Sequence, residues 1–155
     1  MRIDTRHFGS IDITEDKVLT FEQGLIGFEQ LKKFAILYDT KQNSSADVAW
    51  LQSLDEPAMA LPVIDPFLVK EDYKVEIGDE RLQLLGPLKA EAVSVLVTLA
   101  VPQDITKMSV NLCAPIVIHT EKKTGAQIVL DNNNYPVKYY IYDILQQKKA
   151  KKGVD

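Results

Sequence analysis

Apolar residues in this chain come in short runs, each cut off by a glycine, a proline or a cluster of charges. Short punctuated runs rich in Val, Ile, Phe and Tyr predict strands rather than long helices. The pattern places strands near Ile3–Phe8, Ser10–Ile13, Val18–Phe21, Phe34–Tyr38, Ala49–Leu54 and Ala58–Ile64. Further strands fall near Tyr73–Ile77, Ala92–Ala100, Lys107–Cys113, Ile116–His119, Ala126–Leu130 and Val137–Tyr142. The loop "TEKKTG" before "AQIVLD" reads as a hairpin, with Gly125 free to take positive φ.

Three stretches depart from the strand pattern. "FEQGLIGFEQLKKF" reads as a glycine-punctuated loop, whose turn buries Leu25, Ile26 and Phe28, followed by one helical turn before Phe34. "DERLQLLGP" is a short helix candidate stopped by Gly86 and Pro87. "IYDILQQKKAKK" runs into a helix or frays. The expected fold class is mainly β: a single-domain antiparallel β-barrel-like fold with short helical inserts over residues 1–145. Residues 146–155 form a lysine-rich C-terminal tail, flexible or helical.

Composition fits that picture. At 155 residues and 46% hydrophobic, the chain can close one sizeable core. The N-terminus "MRIDTRHFGSIDITED" offers no apolar signal-peptide core, and "AVSVLVTLAVP" is too short for a helical membrane span. A single cysteine excludes an internal disulfide, so the expected location is the cytoplasm, with no membrane partner.

Charge is uneven. The net charge is −4, but the tail carries four lysines and one aspartate, which leaves Met1–Leu145 at −7. Between Asp47 and Glu80, nine acids face only Lys70 and Lys74, again −7. Such a region repels phosphate backbones and attracts basic partners, which argues against direct nucleic-acid binding by the body of the protein.

Candidate chemistry is sparse. "SVNLCAPIVIH" holds Cys113 and His119, a thiol and an imidazole, but Pro115 excludes an uninterrupted helix. On a strand the two lie six residues apart. At about 3.3 Å per residue that is roughly 20 Å, far beyond thiol–imidazole reach. Cys113 is therefore expected to be buried on a core strand, and no catalytic residue is assigned. His7, Cys113 and His119 lack zinc-site spacing, and "GLIG" lacks the GK[ST] of a phosphate loop; neither a metal nor a cofactor is expected.

"WLQSLDEPAMALPVIDPF" is the most informative stretch, two strands meeting at "DEP", with the second ending at "DPF". Trp50 reads as a core anchor in preference to an exposed interface residue. Phe67 lies beside acidic residues, which suits partner binding as well as it suits plain packing.

Taken together and in order, "FEQGLIGFEQLKKF", "WLQSLDEPAMALPVIDPF" and "SVNLCAPIVIHTEKKTGAQIVL" resemble the flagellar assembly factor family FliW, from "MRIDTRHFG" to about Tyr140. The chain departs from the family pattern at Ile26, where proline is usual, at Leu61, where an aromatic is common, and at His119, where asparagine is frequent. The resemblance implies a non-enzymatic partner switch in flagellated bacteria. Such proteins bind flagellin near its terminal helices as a chaperone-like partner. When free, they bind the translational regulator CsrA and relieve its repression of flagellin mRNA. The expected CsrA contact is Phe67 inside an acidic rim of Asp65, Glu71, Asp72 and Glu76. The competing class is a small-molecule-binding or enzymatic β-barrel, recognisable by a deep polar pocket with perturbed carboxylates.

Overall fold

A computed structural model describes residues 2–6, 8–38, 48–75, 93–130 and 135–153, with backbone alone over 148–153. His7, Glu76 and the helix expected in "DERLQLLGP" lie outside the described residues. The strands are β1 (Arg2–Thr5), β2 (Gly9–Asp12), β3 (Leu19–Thr20), β4 (Lys33–Tyr38), β5 (Val48–Ser53), β6 (Ala60–Ile64), β7 (Val93–Ala100), β8 (Ser109–Val110), β9 (Ile116–His119), β10 (Thr124–Gln127) and β11 (Tyr139–Tyr140). Helix α1 (Tyr142–Gly153) follows β11.

Strands β3 to β7 form an antiparallel meander. β7 then pairs with β9, β9 with β10, and β10 with β3, so that these seven strands close a barrel. Every pair in the ring is antiparallel except β3–β10, where Thr20 lies beside Thr124. β8 pairs with the end of β7 beyond β9, and β11 pairs with β8. β1 and β2 make a separate ribbon.

Alternation along the strands fills the core from two sides. In β4, Phe34 and Ile36 face the barrel interior, where Leu51, Val63, Ile116 and Ile118 join them. Ala35 and Leu37, on the other face of β4, pack under the ribbon with Ile3 and Ile13. A second cluster holds Val97, Leu99, Leu112 and Ile141, with Ile144 and Leu145 of α1 against it. Both faces of several strands are thus covered, which explains runs such as "APIVIH" that show no polar alternation.

Closure depends on one close approach. Phe21 is fully buried, its ring edge-on to Phe34 with centroids 5.2 Å apart. A Cβ at Gly125 of β10 would stand 2.5 Å from that ring. Gly125 is required for space, and the positive φ of the hairpin falls on Lys123 (φ 57) instead. Gly24 (φ 66) and Gly27 (φ 87) do take positive φ, and a Cβ at Gly24 would lie 2.6 Å from the Glu29 backbone.

Several expectations need correction. The Leu25–Phe28 turn buries only Leu25; Ile26 and Phe28 are exposed. Phe28 N–H donates to Leu25 O (2.8 Å), which places Ile26 at the tip with its side chain outward. A further turn, Leu31 N–H to Phe28 O (3.1 Å), stands where a helical turn was expected. Tyr73–Val75 is not a strand, because Tyr73 N–H turns back to Lys70 O (3.1 Å). Only Ser109–Val110 of Lys107–Cys113 is extended in the sheet. Asn111 Oδ1 accepts from the N–H groups of Cys113 (3.0 Å) and Ala114 (3.1 Å) and folds the chain out of the strand. Cys113 is consequently half-buried in a bend rather than buried on a strand. Trp50 is half-buried too, edge-on to Phe8 at 6.1 Å. The strand expected at Val137–Tyr142 shrinks to Tyr139–Tyr140.

Gly125→Ala should destabilise the protein by about 1–3 kcal/mol, the usual cost of overpacking a filled core. Urea unfolding followed by tryptophan fluorescence measures it. A wild-type midpoint in Gly125→Ala would mean that Phe21 moves aside freely.

Candidate interaction surface

The proposed surface sits where the chain leaves β6. Asp65 takes extended backbone before Pro66, and its Oδ1 accepts the Phe67 N–H (2.9 Å), capping a single 3-10 turn from Pro66 to Leu68. Pro66 is buried, so the turn is anchored, and Phe67 projects outward with 43% of its surface exposed. The ring does not hang free. It meets Tyr73 edge-on at 6.1 Å, and Tyr73 meets Tyr135 at 4.7 Å.

Tyr73 is the keystone of this corner. It is almost fully buried, and its hydroxyl donates to Leu112 O at 2.6 Å. Burial pushes its pKa well above the ordinary tyrosine value of 10.0, with the neighbouring Tyr135 and Cys113 adding to the shift. Tyr135 Oη accepts the Lys74 N–H (3.0 Å), so the aromatic stack also holds the backbone after Tyr73.

The acidic rim is thinner than the sequence implies. Asp65, Glu71 and Asp72 are all exposed around the corner. Asp72, however, is paired with Lys70 (3.0 Å), whose ammonium also stands 5.8 Å from the Tyr139 ring centroid. The hydrogen bond between them lowers the Asp72 pKa and raises that of Lys70. Among the described residues, Glu71 and Asp65 are left as the rim carboxylates without a salt-bridge partner. The remaining described acids of the window, Asp55 and Glu56, lie at the opposite end of β6. There Asp55 Oδ2 accepts the N–H groups of Lys32 (2.8 Å) and Lys33 (3.0 Å), a structural task. The acidic window is therefore split by the fold. Lys70, Tyr73 and Tyr135 are members of the corner that sequence reasoning missed; the signal available was aromatic residues flanking "DPF".

Among the described residues no group of three His, Cys, Asp or Glu side chains could hold a metal ion, and no helix is long and apolar enough to cross a membrane. His119 is buried at the end of β9, and its Nδ1 accepts the Lys122 N–H (3.2 Å).

Comparison with known proteins now decides the family. The model of the family described as FliW protein matches residues 2–141. The chain belongs to the FliW family. It is 46% identical over 151 residues to the flagellar assembly factor FliW of Lachnoclostridium phytofermentans, covering 97% of each chain. It is 39% identical to that of Clostridium tetani, over 92% of this chain and 96% of that one. A crystal structure of the flagellar assembly factor FliW superposes with a TM-score of 0.83 at 32% identity, covering 92% of this chain and 97% of that one.

The motifs that carried the resemblance serve mainly to lock loops. Gln52 and Ser53 of "LQS" are fully buried. Gln52 Nε2 lies 2.9–3.1 Å from the carbonyls of Ser53, Pro57 and Met59, and Ser53 Oγ accepts the N–H groups of Asp55 and Glu56. Gln127 ties two loops together: its Nε2 donates to Ala114 O (3.1 Å) and its Oε1 accepts the Ile26 N–H (3.0 Å). The departures also have physical readings. Ile26 occupies the second position of a tight turn, where proline is favoured. An asparagine carbonyl can replace the His119 Nδ1 as an acceptor.

Tyr73→Phe should cost about 1–3 kcal/mol, because it leaves a buried carbonyl unsatisfied. The wild type should lose stability as pH rises above the ordinary tyrosine value of 10.0, since Tyr73 ionises in the unfolded chain while the folded chain keeps its proton. Unfolding curves across the alkaline range test this. The alkaline loss should shrink in Tyr73→Phe; an identical loss in both proteins would assign it to other groups.

Proposed function

We propose that this chain is a non-enzymatic cytoplasmic adaptor that binds flagellin as a chaperone-like partner. When free of flagellin it binds the translational regulator CsrA, antagonises it and thereby relieves repression of flagellin mRNA translation. The observation that carries the CsrA half is Phe67, a large aromatic side chain held exposed on a turn capped by Asp65, with the exposed Glu71 four residues on. An aromatic anchor on a rigid support, next to negative charge, fits a basic protein partner. Membership of a family of flagellar assembly factors supports the flagellar role.

The rim and the anchor act on different rates. Rim charges mainly speed encounter, while a desolvated anchor slows dissociation. Glu71→Lys should lower the association rate with CsrA and weaken its salt dependence. Reversal of Asp72 alone should do the same while also breaking the bond to Lys70. Phe67→Ala should raise the dissociation rate, with a loss of about 1–3 kcal/mol. Flagellin binding serves as the control and should be largely unchanged. Surface kinetics at two salt concentrations, with titration calorimetry, test the reading. Wild-type kinetics in all three folded variants would put the CsrA interface elsewhere.

A further inference from the structure

β6 and β7 do not stay paired along their length. They meet at Val63–Thr98 and Ile64–Val97, and the register would continue through Pro62–Leu99 to Leu61–Ala100. The pairing stops at Val63, and Pro62 has no N–H to offer. A groove of about 400 Å³ opens there, walled by Leu25, Ile26, Phe28, Leu61, Leu99 and Val137. Lys138 is its one charged lining residue among those described.

The groove is not built like a small-molecule pocket. Its apolar wall continues outward into Ile26 (53% exposed), Phe28 and Val137 (61% exposed) instead of closing over a ligand. Its two amide side chains are already engaged in holding the loops: Gln127 bridges Ala114 and Ile26, and Asn111 caps Cys113 and Ala114. A largely apolar trough with projecting side chains suits the apolar face of a helix. Lys138, in a chain of net charge −4, marks the end where that helix would carry a carboxylate. The same net negative charge disfavours a second copy of this chain as the occupant.

We infer that the groove between β6 and β7 docks the apolar face of a partner helix, with an acidic side chain or terminal carboxylate of that helix placed on Lys138. This rests on the flagellin-binding reading above and assigns it a surface distinct from the Phe67 corner. Ile26→Asp and Val137→Asp change exposed side chains and should leave folding intact.

The test measures full-length flagellin binding to the wild type, Ile26→Asp, Val137→Asp and Lys138→Glu by surface kinetics, with CsrA binding alongside. Each apolar-to-Asp variant should weaken flagellin binding by about tenfold or more, as expected for loss of an anchor contact. Lys138→Glu should weaken it and flatten its salt dependence, and CsrA binding should persist in all three. Unchanged flagellin binding in the three folded variants, with a wild type that binds, would overturn the groove assignment alone. A wild type that binds no flagellin would overturn the reading on which the assignment rests. Light scattering is the remaining arm: a wild-type dimer that Ile26→Asp converts to a monomer would make the occupant a second copy and refute the proposal.

Discussion

The barrel closes where Gly125, lacking a side chain, leaves room for the Phe21 ring. β10 enters the ring of strands against β3, the one parallel pairing in the ring, with Thr124 beside Thr20. Thr20 N–H donates to Lys123 O (2.9 Å) at this junction. Packing supports the junction too, and the Phe21–Phe34 pair does so from inside the barrel. Gln127, two residues after Gly125, extends the same junction outward by holding the Leu25–Phe28 turn. One residue without a side chain thus fixes both the closure of the core and the position of an exposed loop.

Rigidity at the surface follows from that interior. Buried and half-buried amides and hydroxyls, Gln52, Ser53 and Asn111 among them, replace regular hydrogen bonding in the loops. At the opposite end of β6, Asp65 and Tyr73 hold the Phe67 corner. Loops fixed in this way lose little freedom on binding, which favours an exposed aromatic as an anchor.

Much of this was legible in the sequence, for a physical reason. Short punctuated runs rich in β-branched and aromatic residues located most of the ring strands, because those strands bury side chains on one or both faces. The loops were not legible. Asn111 ends a strand through a side-chain acceptor, and Lys123, not Gly125, takes the left-handed backbone. Apolar residues do not announce their exposure either: Ile26 lies at a turn tip because of bonds two residues away. The candidate surface was legible as the aromatic Phe67 at the "DPF" turn and as a charge count. Sequence could not show that Asp55 works on the backbone of Lys32 and Lys33, or that Asp72 is neutralised by Lys70.

The account leaves two surfaces close together. Leu61 in the groove and Asp65 at the corner are four residues apart on one strand, roughly 13 Å at about 3.3 Å per residue. Lys138 at the groove also directly precedes Tyr139, which lies beneath Lys70. Two folded partners of ordinary size would collide at that spacing, so one can exclude the other while touching different residues. Hydrogen–deuterium exchange on the chain alone, saturated with flagellin, and saturated with CsrA tests this most directly. The account predicts flagellin protection at 25–28 and 137–138, and CsrA protection at 65–73. Protection of the same segments by both partners would contradict it.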